Sequence, residues 1–229
     1  VVKKKRKEEL KGRFLIAADG GTSTIRDQLQ IPFEGSTYPE RTVLVTTPFP
    51  FHKYIEGLSS VTYCWQENGN FSLLQLPNQW RASLYFPEEL SPEEALSEDR
   101  IQQQLQDICP STERFKIYDK RVYRVHQRIV DKYNHGRILL AGDAAHLNSP
   151  SGGMGMNGGL HDAHNLTEKL NKIWNGDDLS LLDLYSRQRK PIAERQIIKQ
   201  ADQNRKRMTE KDPTKRRKAL AEMRAITEN

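Results

Sequence analysis

The stretch Ile138-Leu139-Leu140-Ala141-Gly142-Asp143 most constrains the fold, because a short apolar run after Gly136 and Arg137 delivers one carboxylate to a glycine-rich segment. An apolar run of this kind, bounded by glycines, fits a strand covered on both faces. Asp143 then falls at the strand's carboxyl end, where the crevices of open α/β sheets take ligands. Downstream, Pro150, Gly152, Gly153, Gly155, Met156 and Asn157 form a turn in which backbone, with no Cβ in the way, can approach a ligand closely. A helix is expected to begin near Met156. Its N-terminus carries roughly half a positive charge and favours a phosphate, or a carbonyl oxygen that gains negative charge. Gly153, Gly155 and Gly158 also spell G-x-G-x-x-G, but a dinucleotide fingerprint follows its strand directly, and here about a dozen residues intervene.

A second motif of the same design lies near the start. Phe14-Leu15-Ile16-Ala17-Ala18 reads as an apolar strand ending in Asp19-Gly20, with Thr22 or Ser23 as candidate helix caps and Arg26 one turn inside the helix. On the Asp-Gly and Gly-Asp motifs together, in this order, the chain resembles the class A flavoprotein aromatic hydroxylases, the single-component monooxygenases that include para-hydroxybenzoate hydroxylase and the ubiquinone-pathway hydroxylases. Tyr185-x-x-x-Arg189-x-Pro191 resembles a run that follows the flavin domain in that family. The likeness covers about residues 12–190 and is weak between Ile31 and Tyr123.

The resemblance implies an α/β (α+β) fold, with a partial three-layer FAD-binding domain, an inserted antiparallel substrate sheet and C-terminal helices. The expected boundaries are 1–34 for the first FAD-binding part, 35–130 for the substrate sheet, 131–190 for the continued FAD-binding part and 191–229 for a basic helical segment. It implies cofactor contacts at Asp19, Gly20 and Arg26 near the pyrophosphate, at Gly142 and Asp143 on the ribityl chain, and at Pro150, Gly152, Gly153, Gly155, Met156 and Asn157 beside the flavin ring. The implied reaction is hydroxylation of an aromatic or other electron-rich small molecule, with FAD, NAD(P)H and O2, through a C4a-hydroperoxyflavin. No catalytic acid or base is assigned. The family opens with a strand, a G-x-G-x-x-G turn and a helix that bind the ADP half of FAD, and residues 1–13 do not match these. The expectation is therefore a carboxyl-terminal portion of a larger enzyme that lacks this segment. A flavin-dependent reductase, dehydrogenase or halogenase of the same fold, and a non-catalytic binding module, stay open as alternatives.

Composition narrows the remaining classes. The chain has 229 residues, and no apolar run approaches the ~20 needed to cross a bilayer. No signal peptide is visible, so a cytoplasmic protein is expected. Cys64 and Cys109 have neither the number nor the spacing of a disulfide framework or a thiolate metal site. The net charge of +6 gathers between Lys3 and Lys11 and between Arg187 and Arg224, without interleaved aromatics and, in the second cluster, with Glu210, Asp212 and Glu222 among the cations. A solvated helix face explains this better than nucleic-acid binding. A small-molecule substrate is the expected partner, and a homodimer stays open.

Between the two motifs, Thr42–Thr46, Ser60–Cys64, Asn70–Leu74 and Trp80–Phe86 are rich in β-branched and aromatic residues, and Gly57, Asn68-Gly69 and Pro77-Asn78 supply turns. An antiparallel sheet is expected, with Trp65, Trp80, Phe71 and Tyr85 in its core. Ser91-Pro92 opens a helix reaching about Ile108, and extended structure resumes at Phe115–Tyr118 and Arg121–Val130. Leu160, Ala163, Leu166, Leu170 and Ile173 mark one apolar helix face. Ser180–Tyr185 opens another helix, and Ile192 onward reads as further helix broken at Asp212-Pro213. His146, His161 and His164 lack a matching carboxylate for a metal site, and Asp162 is expected to cap or pair locally. Ser151 lacks the elbow of a hydrolase nucleophile. Tyr123, Arg124 and His126 precede the Gly-Asp strand, and the sequence does not say which of them face inward.

Overall fold

The structure, a computed structural model, describes residues 2–3, 6–7, 9–64, 70–86, 89–150, 153–210 and 212–227. In chain order the elements are β1 (Val2–Lys3), β2 (Arg6–Lys7), β3 (Leu15–Ala17), α1 (Thr24–Gln28), β4 (Glu34–Thr47), β5 (Val61–Cys64), β6 (Phe71–Leu76), β7 (Gln79–Phe86), α2 (Pro92–Ala95), α3 (Glu98–Ile108) and β8 (Asp119–Ile129). There follow β9 (Asn134–His135), β10 (Ile138–Leu140), β11 (His146–Leu147), α4 (Met154–Trp174), α5 (Leu181–Ile192), a π-helical segment (Ala193–Ile198), α6 (Lys199–Thr209) and α7 (Pro213–Thr227). The architecture is mixed α/β, with an antiparallel sheet and C-terminal helices. Two compact units divide the chain: Val1–Ser36 with His126–Asn204, and Thr37–Val125 with Arg205–Asn229.

In the second unit the strand order is β8-β4-β7-β6-β5, and β4, β7, β6 and β5 pair antiparallel in turn. Alternation along the strands sets two faces. Val43, Val45, Phe71, Leu73, Trp80, Ala82 and Leu84 are buried together against Ile101 and Leu105 of α3. The opposite face carries Thr42 beside Tyr85 and Leu44 beside Ser83. Tyr85, expected in the core, is therefore on the face away from Trp80, one residue out of phase with the buried set. Trp65 and the Asn68-Gly69 turn lie outside the described residues. The Pro77-Asn78 turn forms as expected, with Asn78 left-handed at φ 60° closing the β6–β7 hairpin.

Ser91 begins α2 with a full capping box, its hydroxyl accepting from the Glu94 N–H while the Glu94 carboxylate accepts from the Ser91 N–H. The single helix expected to reach Ile108 is broken after Leu96, and Ser97 restarts it as α3. The extended structure expected at Phe115–Tyr118 is irregular chain held by Gln102, whose side chain bonds both backbone groups of the buried Phe115. Of the C-terminal elements, α7 starts at Pro213 as the break predicts.

The first unit holds a three-stranded sheet of order β3-β10-β9. The β3–β10 pair is parallel, with Leu140 opposite Ala17. Leu139, Leu140, Tyr133, Leu166, Ile173, Leu182 and Tyr185 form its core. β11 pairs with the end of β8, placing His146 opposite Ile129. The helix expected near Met156 begins at Met154. Leu166 and Ile173 are buried on it, but Leu160, expected on the same face, is 61% exposed. The buried stripe of α4 runs instead through Gly158, Asp162, Leu166, Lys169 and Ile173.

Candidate functional site

Parallel pairing of β3 and β10 fixes where the two motifs meet. Both strands end on the same side of the sheet, and the Ala141 N–H donates to the Ala17 carbonyl at 3.0 Å. The Asp19-Gly20 turn and the Gly142-Asp143 turn therefore emerge as neighbours at the carboxyl edge, where a ligand crevice is expected. Arg26 joins them. Its guanidinium donates to the Gly21 carbonyl at 2.6 Å and to the Ala144 carbonyl at 3.1 Å, and lies 3.8 Å over the Phe33 ring. The side chain is buried, and among the described residues no carboxylate hydrogen-bonds it; carbonyl dipoles, a π face and the nearby charges of Asp27 and Asp19 compensate its charge.

Asp19 is exposed and turns toward the start of α1, where Oδ2 accepts from the Ile25 N–H at 3.2 Å. What little burial it has works against ionisation, but hydrogen bonds from Ser23 and the backbone hold its carboxyl below the ordinary range. Ser23 itself is the N-cap, accepting from the Arg26 N–H at 3.0 Å. Gly20 has φ 84°, and a Cβ built there meets nothing within 4 Å. The turn is left-handed and faces open space.

Asp143 sits in a single 3-10 turn, Gly142–Ala144, entered through Gly142 at φ 59°. It is exposed, and among the described residues it makes no hydrogen bond or ion pair. Its neighbour Gly142 is tightly held: the Gly142 N–H donates to Asp162 Oδ2 at 3.1 Å, and a Cβ on Gly142 would meet the Gly159 Cα at 3.6 Å. The pair of glycines lets α4 pass close across the turn.

The glycine-rich turn leads into α4. The Pro150 carbonyl accepts from the Gly153 N–H at 3.0 Å, and Gly153 is left-handed at φ 65°, with open space where a Cβ would be. Gly153 is the N-cap and offers no side-chain acceptor, so among the described residues no side chain caps the first-turn N–H groups. Gly155 approaches the Asn148 side chain, 3.1 Å from a built Cβ. Met156 is 75% exposed, and Asn157 donates back to the Gly153 carbonyl at 3.2 Å. Gly152 lies outside the described residues, as does Ser151.

Behind the Gly-Asp turn is a buried polar cluster absent from the sequence reading. Asp162 is fully buried, and it pairs far along the chain, not locally as expected. Oδ2 accepts from His146 Nε2 at 2.8 Å, and Oδ1 from Arg189 Nε at 2.7 Å. Burial opposes its ionisation, yet the His146 and Arg189 donors and the Gly142 N–H outweigh that and hold the carboxyl below its ordinary value. An ionised carboxylate is acceptor-only, which assigns a proton to His146 Nε2. Tyr133 stacks on the His146 ring with planes 10° apart, and the Tyr185 hydroxyl donates to the Leu140 carbonyl at 2.8 Å. Tyr185 and Arg189 of the Tyr-x-x-x-Arg run thus brace the Gly-Asp strand and its turn. One sequence signal points to the cluster: Asp162 shares a helical stripe with Leu166 and Ile173, where a carboxylate needs a buried partner.

His161 and His164 are exposed, on a different face of α4 from the Asp162 that holds His146. No group of metal-ligating side chains is found among the described residues. Tyr123 is half-buried in the other unit. Burial pushes its phenol up, and it hydrogen-bonds Thr42. No helix among the described residues is long and apolar enough to cross a membrane.

The family model described as "FAD binding domain" matches residues 1–200. The chain is 33% identical over 183 residues to a 6-hydroxy-3-succinoylpyridine 3-monooxygenase of Pseudomonas putida, covering 79% of this chain and 46% of that relative. It is 31% identical over 211 residues to a para-nitrophenol 4-monooxygenase of Pseudomonas sp. strain WBC-3, covering 90% of this chain and 52% of the relative. The crystal structure of p-nitrophenol 4-monooxygenase from Pseudomonas putida DLL-E4 superposes with a TM-score of 0.82 at 30% identity, covering 91% of this chain and 53% of that one. The chain thus spans about half the length of the curated relatives it matches.

Proposed function

This chain belongs to the FAD binding domain family, and from that premise we propose that it is part of an FAD-dependent monooxygenase that hydroxylates a small aromatic substrate at the expense of NAD(P)H and O2. The observation that carries the reading is the meeting of two turns at adjacent parallel strand ends, stapled by Arg26, with Asp143 of the second turn exposed and, among the described residues, unpartnered.

The residues present fit the cofactor. Asp143 is an acceptor free to take ribityl hydroxyls. The uncapped N-terminus of α4, at Gly153, Gly155, Met156 and Asn157, offers N–H groups and a positive dipole end to a ring carbonyl that gains charge on reduction. Gly20 leaves room beside the Asp-Gly turn for a pyrophosphate, and the buried Arg26 charge beneath it favours an anion there. Bound FAD supplies the redox chemistry: two electrons from NAD(P)H reduce O2, one oxygen atom goes to the substrate and the other leaves as water. This chain's residues bind and orient the cofactor. Relatives named for nitrophenol and hydroxypyridine chemistry support a phenol-class substrate.

We assign residues 1–34 and 131–190 to the FAD-binding part, 35–130 to the substrate sheet and 191–229 to a basic helical segment. We further assign to the whole protein a segment for the ADP half of FAD that adds to the edge of β3 away from β10. In support, Leu15 and Ile16 alternate faces on that strand and are 44% and 48% exposed, although strands of a parallel pair are ordinarily covered on both sides.

The test is the visible spectrum of the purified whole protein, with oxidised-flavin bands near roughly 370 and 450 nm expected from the bound chromophore. NAD(P)H oxidation should consume O2 and convert 4-nitrophenol or a related phenol to a hydroxylated product. Oxidation without oxygen consumption would reassign the protein as a reductase, and a colourless protein that ignores added FAD would end the flavin reading.

A further inference from the structure

Asp162 bridges the Gly-Asp turn, α4 and α5. Its Oδ2 accepts from both ends of that turn, the Gly142 N–H at 3.1 Å and the His146 Nε2 at 2.8 Å. The residues between, with Asp143 outermost, are thereby looped out over a fixed base. Its Oδ1 takes Arg189 Nε at 2.7 Å, and Arg189 Nη2 reaches the Gly158 carbonyl at 3.3 Å, so α5 grips the same turn of α4 that crosses Gly142. We propose that Asp162, His146 and Arg189 form a positioning set that holds Asp143 in register for a cofactor hydroxyl, so that flavin affinity depends on a charge cluster the flavin never touches. This rests on the FAD reading above.

The chemistry favours a carboxylate at this position over any neutral isostere. Three donors converge on it, and only an ionised carboxyl presents acceptor lone pairs on both oxygens. In Asp162→Asn the amide NH2 must face a donor, either Arg189 Nε–H or the Gly142 and His146 pair, leaving a buried N–H without an acceptor. If the turn loses its grip on Gly142, Asp143 is free to wander. If the cluster merely glues α5 to α4, its loss lowers stability and leaves Asp143 where it was.

A double-mutant cycle on the whole protein separates these outcomes. FAD binding to the apoprotein is followed by flavin fluorescence for wild type, Asp143→Ala, Asp162→Asn and the double variant, with thermal unfolding of each apoprotein as the fold control. Each single substitution is expected to weaken FAD binding about tenfold or more. The double variant is expected to bind within about twofold of Asp143→Ala, because Asp162 acts only through Asp143. His146→Gln, which keeps an N–H donor near the Nε2 position, should bind FAD like wild type, and His146→Leu should bind like Asp162→Asn. Wild-type affinity in a folded Asp162→Asn, or singles whose effects multiply fully in the double variant, overturns the proposal. Should Asp162→Asn not fold, the His146 pair decides: equal affinity in His146→Gln and His146→Leu overturns it. A wild-type protein without measurable FAD affinity refutes the flavin reading itself, and this inference with it.

Discussion

Asp143 and Asp162 occupy opposite limits of what a carboxylate can do in one site. The first has no partner among the described residues, the second accepts three hydrogen bonds and sees no solvent. Truncating an exposed, unpaired side chain changes folding stability by at most about 0.5 kcal/mol. Asp143→Ala should therefore leave the apoprotein's melting point unchanged while losing FAD affinity, a separation that paired melting and titration experiments read directly. Asp162 differs in that it also carries folding stability. Its folded value lies below the ordinary 3.8, so the unfolded chain takes up the proton first. The stability it contributes is complete above the unfolded value and is lost as pH falls through the folded one. Denaturant midpoints of the wild-type apoprotein should drop as pH falls below about 4.5, and Asp162→Asn, lower throughout, should show a shallower acid slope. A slope unchanged by the substitution would remove Asp162 from the acid transition.

Elements show which parts of the fold can be read from sequence. Local chemistry was legible: Ser23 and Ser91 cap α1 and α2, Pro77-Asn78 turns β6 into β7, and Ile138–Leu140 is the buried strand its apolar run implied. Long-range pairing was not. β4 extends back to Glu34 through Gly35, Ser36 and Thr37, which carry no strand pattern in the sequence. Asp162 found partners on two distant segments, and no local window encodes those. Gly35 shows the same logic at one position. It has φ 145°, and a Cβ there would stand 1.9 Å from the Gln127 carbonyl oxygen, so backbone must move to admit any side chain. Gly35→Ala should destabilise the protein by about 2–3 kcal/mol, as overpacking against an immovable neighbour does, measured by urea unfolding. Ser91→Ala, which removes one half of the α2 capping box, should cost only about 1 kcal/mol in the same assay. If Gly35→Ala proves the milder of the two, the close approach at that point in β4 is not a real constraint.

At the scale of the whole molecule, a ligand that binds only the folded state adds its binding free energy to stability. FAD at about 100 times its dissociation constant should contribute about 2.7 kcal/mol, which for a chain of this size raises the melting point by roughly 5–10 °C. The groups of this chain proposed to meet FAD belong to the unit made of Val1–Ser36 and His126–Asn204. Hydrogen-exchange protection on adding FAD should accordingly concentrate at the Asp19-Gly20 turn, the Gly142-Asp143 turn and the first turn of α4, while the hairpins β5, β6 and β7 exchange as before. Asp143→Ala should lose both the thermal shift and the protection at the same FAD concentration, since one carboxylate links the ligand to a turn that Asp162 anchors in the core. Protection spread evenly over both units would instead mean that FAD stabilises the chain by general compaction, and the site assigned to the ends of β3 and β10 would have to be abandoned.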